Sequence, residues 1–186
     1  MTGSPSAQDR APAAPIRVQR GLDEPALQEV AHGLAAQLAP PLVLYLEGDL
    51  GTGKTTFVRA LLRALGHAGP VKSPTYGLLE LYDLPAPPSS RGVPTDSEAP
   101  LRVLHLDLYR IADPGELEFL GLGDLLDART VLCVEWPGQG AGALPPPDVT
   151  LRFRESGDSD HRTRDLDWYA HSYSGIKLCE VIDAKL

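Results

Sequence analysis

The sequence predicts a three-layer α/β domain whose central sheet contains both parallel and antiparallel strands. Residues 42–46 form a short apolar run, and a glycine-rich turn and a helical pattern over 54–65 follow it directly. Two further apolar runs, 101–109 and 130–136, have the length of buried strands. Two alternating stretches within 148–169 indicate a half-buried hairpin, so the second half is expected to add antiparallel strands.

The chain has 186 residues, which is the size of one ordinary domain. Residues 1–15 are rich in Ser, Ala and Pro, and we expect them to form a disordered lead. Residues 16–170 make up the predicted domain, in which 85–100 lack periodicity and are expected to be a mobile insertion. Residues 171–186 form a tail whose structure the pattern does not predict.

The first elements precede the glycine-rich turn. A short strand is predicted over 16–19. Asp23, Glu24 and Pro25 predict a helix start, because carboxylates suit the positive end of a helix and Pro suits its first turn. Apolar residues then recur at helical spacing as far as Pro40: Leu27, Val30, Leu34 and Leu38.

Two elements are predicted around the second apolar run. Residues 77–84 alternate weakly, which favours an edge strand. A helix is predicted over 113–120, because Asp113 can cap it, Pro114 suits the first helical position and Glu116 can complete a capping box.

The glycine-rich turn matches the phosphate-binding P-loop motif G-x-x-x-x-G-K-[ST] through Gly48, Gly53, Lys54 and Thr55. Glycines let successive backbone N–H groups point at phosphate oxygens, and the helix that follows presents its positive end to the same charge. Lys54 is expected to reach the β- and γ-phosphates, and the Thr55 hydroxyl to hold Mg²⁺. A plain turn is the alternative, but the strand, turn and helix context favours a P-loop NTPase-like domain.

The composition limits the partners. A net charge of −8 and a pI near 5.0 argue against a broad nucleic-acid surface, so a partner is expected to hold any RNA. No apolar run approaches ~18 residues, so we expect no membrane contact, and the acidic charge argues against contact with DNA. Cys133 and Cys179 form no disulfide framework, and Cys133 is expected to be a buried thiol. These features favour a cytoplasmic location.

Hydrolysis of a bound triphosphate needs acidic residues and a mobile hydroxyl near the γ-phosphate. Asp107 and Glu135 each close an apolar strand and are the candidate acids, although an acid at a strand end can also simply face solvent. Thr75, beside Lys72 and Ser73, is the candidate hydroxyl, although loop hydroxyls are common.

Two neighbouring residues have less specific interpretations. Trp136 follows Glu135 and either packs at the site or anchors the core. His105 is expected to make a local hydrogen bond rather than act as a base, since phosphoryl transfer mainly needs positioning and charge stabilisation.

Five ordered motifs resemble the bacterial TsaE (YjeE) family. They are Gly-Asp-Leu-Gly-Thr-Gly-Lys-Thr-Thr from Gly48, Val-Lys-Ser-Pro-Thr-Tyr from Val71, His-Leu-Asp-Leu-Tyr-Arg from His105, Asp-Pro-Gly-Glu-Leu-Glu-Phe-Leu-Gly from Asp113, and Val-Glu-Trp-Pro from Val134. The resemblance implies a small ATPase that uses ATP and Mg²⁺ in making threonylcarbamoyladenosine at the tRNA adenosine beside the anticodon. It also implies work with the TsaD and TsaB proteins, without transfer of the threonylcarbamoyl group by this chain.

The resemblance also implies roles for individual residues. The phosphate cradle comprises Leu50, Gly51, Thr52, Gly53, Lys54, Thr55 and Thr56. Thr55 and Glu135 are the implied Mg²⁺ ligands, Asp107 and Glu135 the implied catalytic acids, and Thr75 the implied switch-like hydroxyl. The other implied nucleotide contacts are Glu24 on the adenine side, Arg162, and a flexible turn that comprises Gly138, Gln139, Gly140, Ala141 and Gly142.

The sequence departs from the family pattern in two places. The insertion over 85–100 is longer than usual, and the chain from Trp168 onward does not read like the family's closing strand and helix. Two other functions remain open: a small-molecule P-loop kinase and a nucleotide-dependent binding switch. The insertion holds only Arg91 as a basic residue, which argues against the Arg-rich lid of a kinase.

Overall fold

The computed structural model describes residues 14–72, 74, 77–85, 100–157 and 163–183. The predicted lead and the predicted insertion fall almost entirely outside these residues, as do the last three residues of the chain.

The described residues form one sheet flanked by helices. The strands are β1 (Arg17–Leu22), β2 (Leu42–Glu47), β3 (Leu79–Leu84), β4 (Leu101–Asp107), β5 (Thr130–Glu135), β6 (Val149–Glu155) and β7 (Arg164–Ala170). The α-helices are α1 (Glu24–Gln37), α2 (Lys54–Ala64), α3 (Leu122–Leu125) and α4 (Tyr173–Asp183). Short 3₁₀ helices lie at Pro114–Leu120 and Pro137–Gly140.

The strand order is β1-β7-β6-β2-β5-β4-β3. The four central strands β6, β2, β5 and β4 are parallel, whereas β7, β1 and β3 pair antiparallel with their neighbours. The predicted mixture of parallel and antiparallel strands is therefore confirmed. The predicted edge strand is β3, and the predicted hairpin is β6 with β7.

The sheet separates two apolar cores, which gives the three layers. Helices α1, α2 and α4 cover one face, where the buried side chains include Leu44, Val103, Val131, Phe57 and Leu178. Pro114–Leu120 and α3 cover part of the other face, where the buried side chains include Leu104, Leu106, Leu132, Leu117 and Leu122. Alternate residues of β4 and β5 thus face opposite cores, as the pleat of a strand requires.

Both predicted helix starts form, and an aspartate caps each of them. The Asp23 Oδ1 atom accepts a hydrogen bond from the Ala26 backbone N–H at 2.8 Å and caps α1. The Asp113 Oδ1 atom accepts from the Gly115 N–H at 2.9 Å, and the Glu116 Oε1 atom accepts from the Asp113 N–H at 3.2 Å. This reciprocal pair is the predicted capping box.

Two segments differ in detail from the sequence expectation. The helix over Pro114–Leu120 is 3₁₀ rather than α, a form common in short helices. The expected flexible turn over 137–142 begins with a 3₁₀ helix instead. Gly140 is buried there, and a Cβ atom on it would lie 2.8–2.9 Å from three leucine side chains: Leu108, Leu117 and Leu144. Tertiary packing, which local pattern does not reveal, fixes this segment.

Helix α4 corrects the expectation for the end of the chain. The sequence shows no clear pattern from residue 173 and was expected to depart there from a closing strand and helix, yet β7 and α4 are present. Leu178, Cys179 and Ile182 are buried in the core that α1 and α2 share. Gly175 lowers the intrinsic helix propensity of this segment, so contacts with the rest of the core stabilise the helix.

The start of α4 is joined to the sheet through Asp148. The Ser172 hydroxyl donates to the Asp148 Oδ1 atom and accepts from the Gly175 N–H at 3.1 Å. The other carboxylate oxygen, Oδ2, accepts from the Val43 N–H at 2.9 Å, and the Asp148 carbonyl accepts from the His171 N–H at 2.8 Å. One carboxylate therefore connects α4 with β2 and the start of β6.

Replacing Gly175 by alanine is expected to destabilise the fold by about 1–3 kcal/mol. The added Cβ atom would fall inside the contact distance of the Asp148 carbonyl oxygen, a backbone atom that cannot move aside cheaply. The denaturant midpoint of unfolding measures the effect. The matched control is Gly123→Ala in α3, where a Cβ atom meets nothing within 4 Å and helix propensity improves. Equal midpoints for the two variants would contradict the close approach at Gly175.

Both cysteines are buried, which confirms the expectation for Cys133. Burial raises the pKa of the Cys133 thiol to about 12, and the nearby Glu135 carboxylate adds to the increase. Among the described residues, no helix combines the length and the apolar character needed to cross a membrane.

Candidate nucleotide site

A pocket lies where β2, β4 and β5 end and α2 begins. Its lining residues are Leu50, Gly51, Gly53, Lys54, Thr55, Thr56, Asp107, Tyr109, Glu135 and Trp136. The carboxyl ends of parallel strands are the usual ligand position in open α/β sheets. The pocket volume is about 200 Å³, below the ~300–1,000 Å³ of pockets that enclose whole drug-sized ligands, so it suits the phosphate end of a nucleotide.

The loop between β2 and α2 is a tight, internally bonded turn. The Thr52 side chain is buried, and its hydroxyl donates to the Asp49 carbonyl at 2.8 Å. Gly53 precedes α2 with φ = 101°, a left-handed conformation that favours glycine. A Cβ atom on Gly48 would fall inside the contact distance of the Phe153 carbonyl oxygen, so the loop packs directly against β6.

The Lys54 ammonium group is held inside this loop. Its Nζ atom donates to the Gly48 carbonyl at 2.7 Å and to the Asp49 carbonyl at 2.8 Å. The same atom lies 4.2 Å from the centroid of the Trp136 ring, within cation–π range. Lys54 is only 4% exposed, so its charge is directed at the pocket rather than at bulk solvent.

Burial sets the electrostatics of Lys54. Desolvation lowers the pKa of its ammonium group, and the carboxylates of Glu135, Asp107 and Asp49 oppose that effect. An anion that enters the pocket would stabilise the charged ammonium further. The site is therefore suited to a ligand that brings negative charge close to Nζ.

Glu135 is bonded from two sides. The Thr55 hydroxyl donates to its Oε2 atom at 3.0 Å, and the His105 Nε2 atom lies 2.9 Å from its Oε1 atom. His105 and Glu135 are both buried. The expected local hydrogen bond of His105 is therefore confirmed, and its partner is a candidate catalytic acid.

An aromatic pair borders the other side of the pocket. The Asp107 Oδ1 atom accepts from the Tyr109 backbone N–H at 3.2 Å, and the Tyr109 and Trp136 ring centroids are 5.0 Å apart. Trp136 has φ = 58°, a left-handed conformation that is strained for a residue with a large side chain. Both interpretations of Trp136 are confirmed, because it lines the pocket and also packs against the core beneath Pro114–Leu120 and α3.

The donors and acceptors of the pocket fit a magnesium–triphosphate complex. Mg²⁺ prefers oxygen ligands and usually takes one or two from the protein, with the others from phosphates and water. The Thr55 hydroxyl donates its hydrogen bond to the Glu135 carboxylate beside it, which leaves its oxygen lone pairs free for a metal. Lys54 and the N-terminus of α2 supply positive charge for phosphate.

Several predicted contacts lie apart from this pocket. Glu24 lines a neighbouring cleft between α1 and α2, to which Thr56 also contributes. Residues 138–142 do not line the pocket, and Thr52 bonds within the loop. Their predicted contacts with nucleotide stay predictions. Thr75 and Arg162 lie outside the described residues, so their roles stay predictions as well.

Two residues were not predicted as site residues: Tyr109, which lines the pocket, and Arg164, which bonds to the loop before α2. Tyr109 was read only as the end of a strand, although it follows Asp107 by two positions. The Arg164 Nη2 atom donates to the Gly51 carbonyl at 3.1 Å, two residues beyond the predicted Arg162. The contact joins the start of β7 to the loop before α2, and this long-range pairing has no signal in local sequence.

Residues 22–165 match the family model described as "Threonylcarbamoyl adenosine biosynthesis protein TsaE". The chain belongs to the TsaE family. The resemblance predicted from the five motifs is thereby confirmed. The matched range contains all of the residues that line the pocket.

Named relatives agree with TsaE membership. The chain is 33% identical to the tRNA threonylcarbamoyladenosine biosynthesis protein TsaE of Bacillus subtilis, over 81% of this chain and 84% of the relative. It is 37% identical to the TsaE protein of Aquifex aeolicus, over 74% of this chain and 89% of the relative. Identity to the TsaE protein of Haemophilus influenzae is 43%, over 60% of this chain and 62% of the relative's length.

A solved TsaE-like structure shares the fold. The crystal structure of Bacillus subtilis YdiB superposes with a TM-score of 0.68 at 27% identity, covering 90% of this chain and 94% of YdiB. The predicted P-loop NTPase-like fold class is therefore confirmed.

Proposed function

We propose that this TsaE family member binds and hydrolyses Mg²⁺-bound ATP to support formation of threonylcarbamoyladenosine at the tRNA adenosine beside the anticodon. The observation that carries the proposal is the pairing of the Thr55 hydroxyl with Glu135 at 3.0 Å, next to the buried Lys54. The names of the family and of its relatives supply the pathway.

In this proposal the pocket residues have separate tasks. Lys54 and the backbone N–H groups from Leu50 to Thr56 bind the phosphates, and Thr55 and Glu135 hold Mg²⁺. Asp107, the other carboxylate at the pocket, orients the attacking water. The water oxygen bonds to the γ-phosphorus as the bond to the ADP oxygen breaks, which releases ADP and inorganic phosphate.

The net charge supports the division of labour with partners. A chain with a net charge of −8 is poorly suited to hold tRNA by itself. We therefore propose that TsaD and TsaB hold the tRNA in the cytoplasm and that this chain supplies the ATPase cycle. The threonylcarbamoyl transfer is then carried out by the partners, and this chain contacts tRNA only through the complex.

Phosphate release from purified protein tests the hydrolysis. With Mg²⁺ and ATP we expect slow release by the chain alone, faster release with TsaD and TsaB, and none when EDTA removes the metal. ATP labelled at the γ-phosphate distinguishes water from another acceptor, because label transferred to a small metabolite would indicate a kinase. Stable ATP binding that changes partner affinity without any phosphate release would instead indicate a binding switch.

Cells that lack this chain test the pathway. We expect mass spectrometry of their digested tRNA to show loss of threonylcarbamoyladenosine, and restoration when the wild-type chain is returned. An unchanged level of the modified nucleoside would contradict the pathway while leaving the ATPase assignment to the biochemical measurement.

A further inference from the structure

His105 occupies a position where the sheet otherwise presents apolar side chains. On β4 it follows Leu101 and Val103 in the row that faces α2, and both of these are buried. A polar side chain in such a row is unfavourable unless it makes hydrogen bonds. His105 is fully buried, so its hydrogen-bond partner indicates what role the polar side chain has.

That partner is fixed by the strand register. In the parallel pair of β4 and β5, His105 lies opposite Cys133 and Asp107 lies opposite Glu135. The His105 ring therefore reaches one step along the same face of the sheet to Glu135, where Nε2 is 2.9 Å from Oε1. An ionised carboxylate only accepts hydrogen bonds, so Nε2 carries a proton and donates it.

Within the described part of the chain, the His105 ring makes no second hydrogen bond. The buried Nδ1 atom makes no hydrogen bond there, so the hydrogen bonding of His105 is directed at Glu135 alone. Glu135 in turn uses Oε1 for His105 and Oε2 for Thr55. The two donors approach from β4 and from α2, which restricts the rotation of the carboxylate.

We propose that His105 is a positioning residue for the metal site: its Nε2–H group fixes Glu135 so that the Oε2 atom stays beside the Thr55 hydroxyl. This inference rests on the proposed function, in which Thr55 and Glu135 hold Mg²⁺. Hydrogen bonds to a ligating carboxylate orient it, and their loss typically weakens metal affinity about 10- to 100-fold. His105 touches neither substrate nor metal in this role.

Proton NMR of the nucleotide-free protein tests the hydrogen bond without any activity measurement. A buried, hydrogen-bonded imidazole N–H should give a downfield resonance that exchanges slowly with water, assigned to His105 by its loss in His105→Gln. The resonance should broaden or disappear in Glu135→Ala, in which the acceptor is missing. No such resonance in the wild type, or an unchanged one in Glu135→Ala, would overturn the proposal.

Metal-dependent nucleotide binding tests the consequence. In His105→Leu, a shape-compatible change that removes the donor, we expect the Mg²⁺ concentration needed for tight nucleotide binding to rise about 10- to 100-fold. Nucleotide affinity measured in EDTA should stay at the wild-type level. His105→Gln retains an N–H donor on a side chain of similar length and should recover part of the Mg²⁺ affinity.

Controls separate positioning from packing. His171→Leu removes a histidine that bonds to Thr150 on β6, two strands away from β5 and outside the pocket lining, and it should leave Mg²⁺ affinity unchanged. If His105→Gln loses as much Mg²⁺ affinity as His105→Leu, the ring acts by packing and the proposal is wrong. If His105→Leu fails to fold, as thermal unfolding would reveal, the comparison of His105→Gln with wild type and the NMR result decide.

The outcomes also separate this inference from the proposed function. Wild-type protein that shows no Mg²⁺-dependent nucleotide binding contradicts the metal site, and with it this inference. A different result contradicts only the positioning role of His105. In that result the wild-type protein binds Mg²⁺ and nucleotide, and a folded His105→Leu variant has the same Mg²⁺ affinity.

Discussion

Replacing Lys54 by alanine is expected to reduce ATP affinity by about 100-fold or more and to eliminate phosphate release. Hydrogen bonds to charged groups each contribute about 1.5–3 kcal/mol, and Lys54 is expected to contact two phosphates. The ammonium group bonds to the Gly48 and Asp49 carbonyls, so it is directed into the loop. Titration calorimetry with ATP and Mg²⁺ measures the loss of affinity.

The control for this variant is another lysine-to-alanine change with the same effect on net charge. Lys177 lies on α4, where it bonds to Glu180 on the surface, so Lys177→Ala should retain wild-type affinity. Lys54→Ala should still fold, with a thermal midpoint lowered only by the loss of two hydrogen bonds to loop carbonyls, because the ammonium group does not pack in the apolar core. Wild-type turnover in a folded Lys54→Ala variant would show that the P-loop assignment is wrong.

The P-loop and the helix starts were predictable because their signals are local. Asp23 and Asp113 bond to N–H groups two or three residues away, so a short stretch of sequence specifies each cap. Gly53 and Lys54 likewise belong to one contiguous motif that ends a strand and begins a helix. Where the residues that determine a feature lie within a few positions of each other, the sequence pattern was enough to predict it.

The interior of the site depends on strand pairing, which local pattern does not contain. Asp107 and Glu135 were expected at strand ends, but only the parallel register of β4 with β5 sets them opposite each other. The same register directs His105 to Glu135. Arg164 reaches Gly51 across 113 residues of sequence, and no periodicity of either segment predicts that contact.

Helix α4 was missed for a different physical reason. Its apolar face is short, and Gly175 stands where a helix former would be expected. That glycine is needed because the Asp148 carbonyl approaches it too closely for a Cβ atom. A tertiary requirement thus weakened the local helix signal where the helix backbone approaches the start of β6.

Replacing Glu135 by glutamine is expected to lower the rate of phosphate release by about 100-fold or more while ATP still binds. The amide retains the shape of the side chain and one oxygen acceptor, but it removes the negative charge that Mg²⁺ needs. The expected pattern is the reverse of Lys54→Ala, in which binding itself is lost. Single-turnover phosphate release with saturating ATP, alongside equilibrium binding, separates the two effects.

Glutamine gives the clearer test at this position, because alanine removes the charge and also leaves two hydrogen-bond donors without an acceptor. Glu135→Ala should also lose hydrolysis with some binding retained, but it leaves the Thr55 hydroxyl and the buried His105 N–H without their acceptor, which costs about 1–3 kcal/mol for each donor. The matched control is Glu118→Gln, an exposed acid outside the pocket. Full activity in Glu135→Gln would show that the hydrogen bond between Thr55 and Glu135 has a purely structural role. Asp107 would then be the pocket carboxylate to test for a role in ATP hydrolysis.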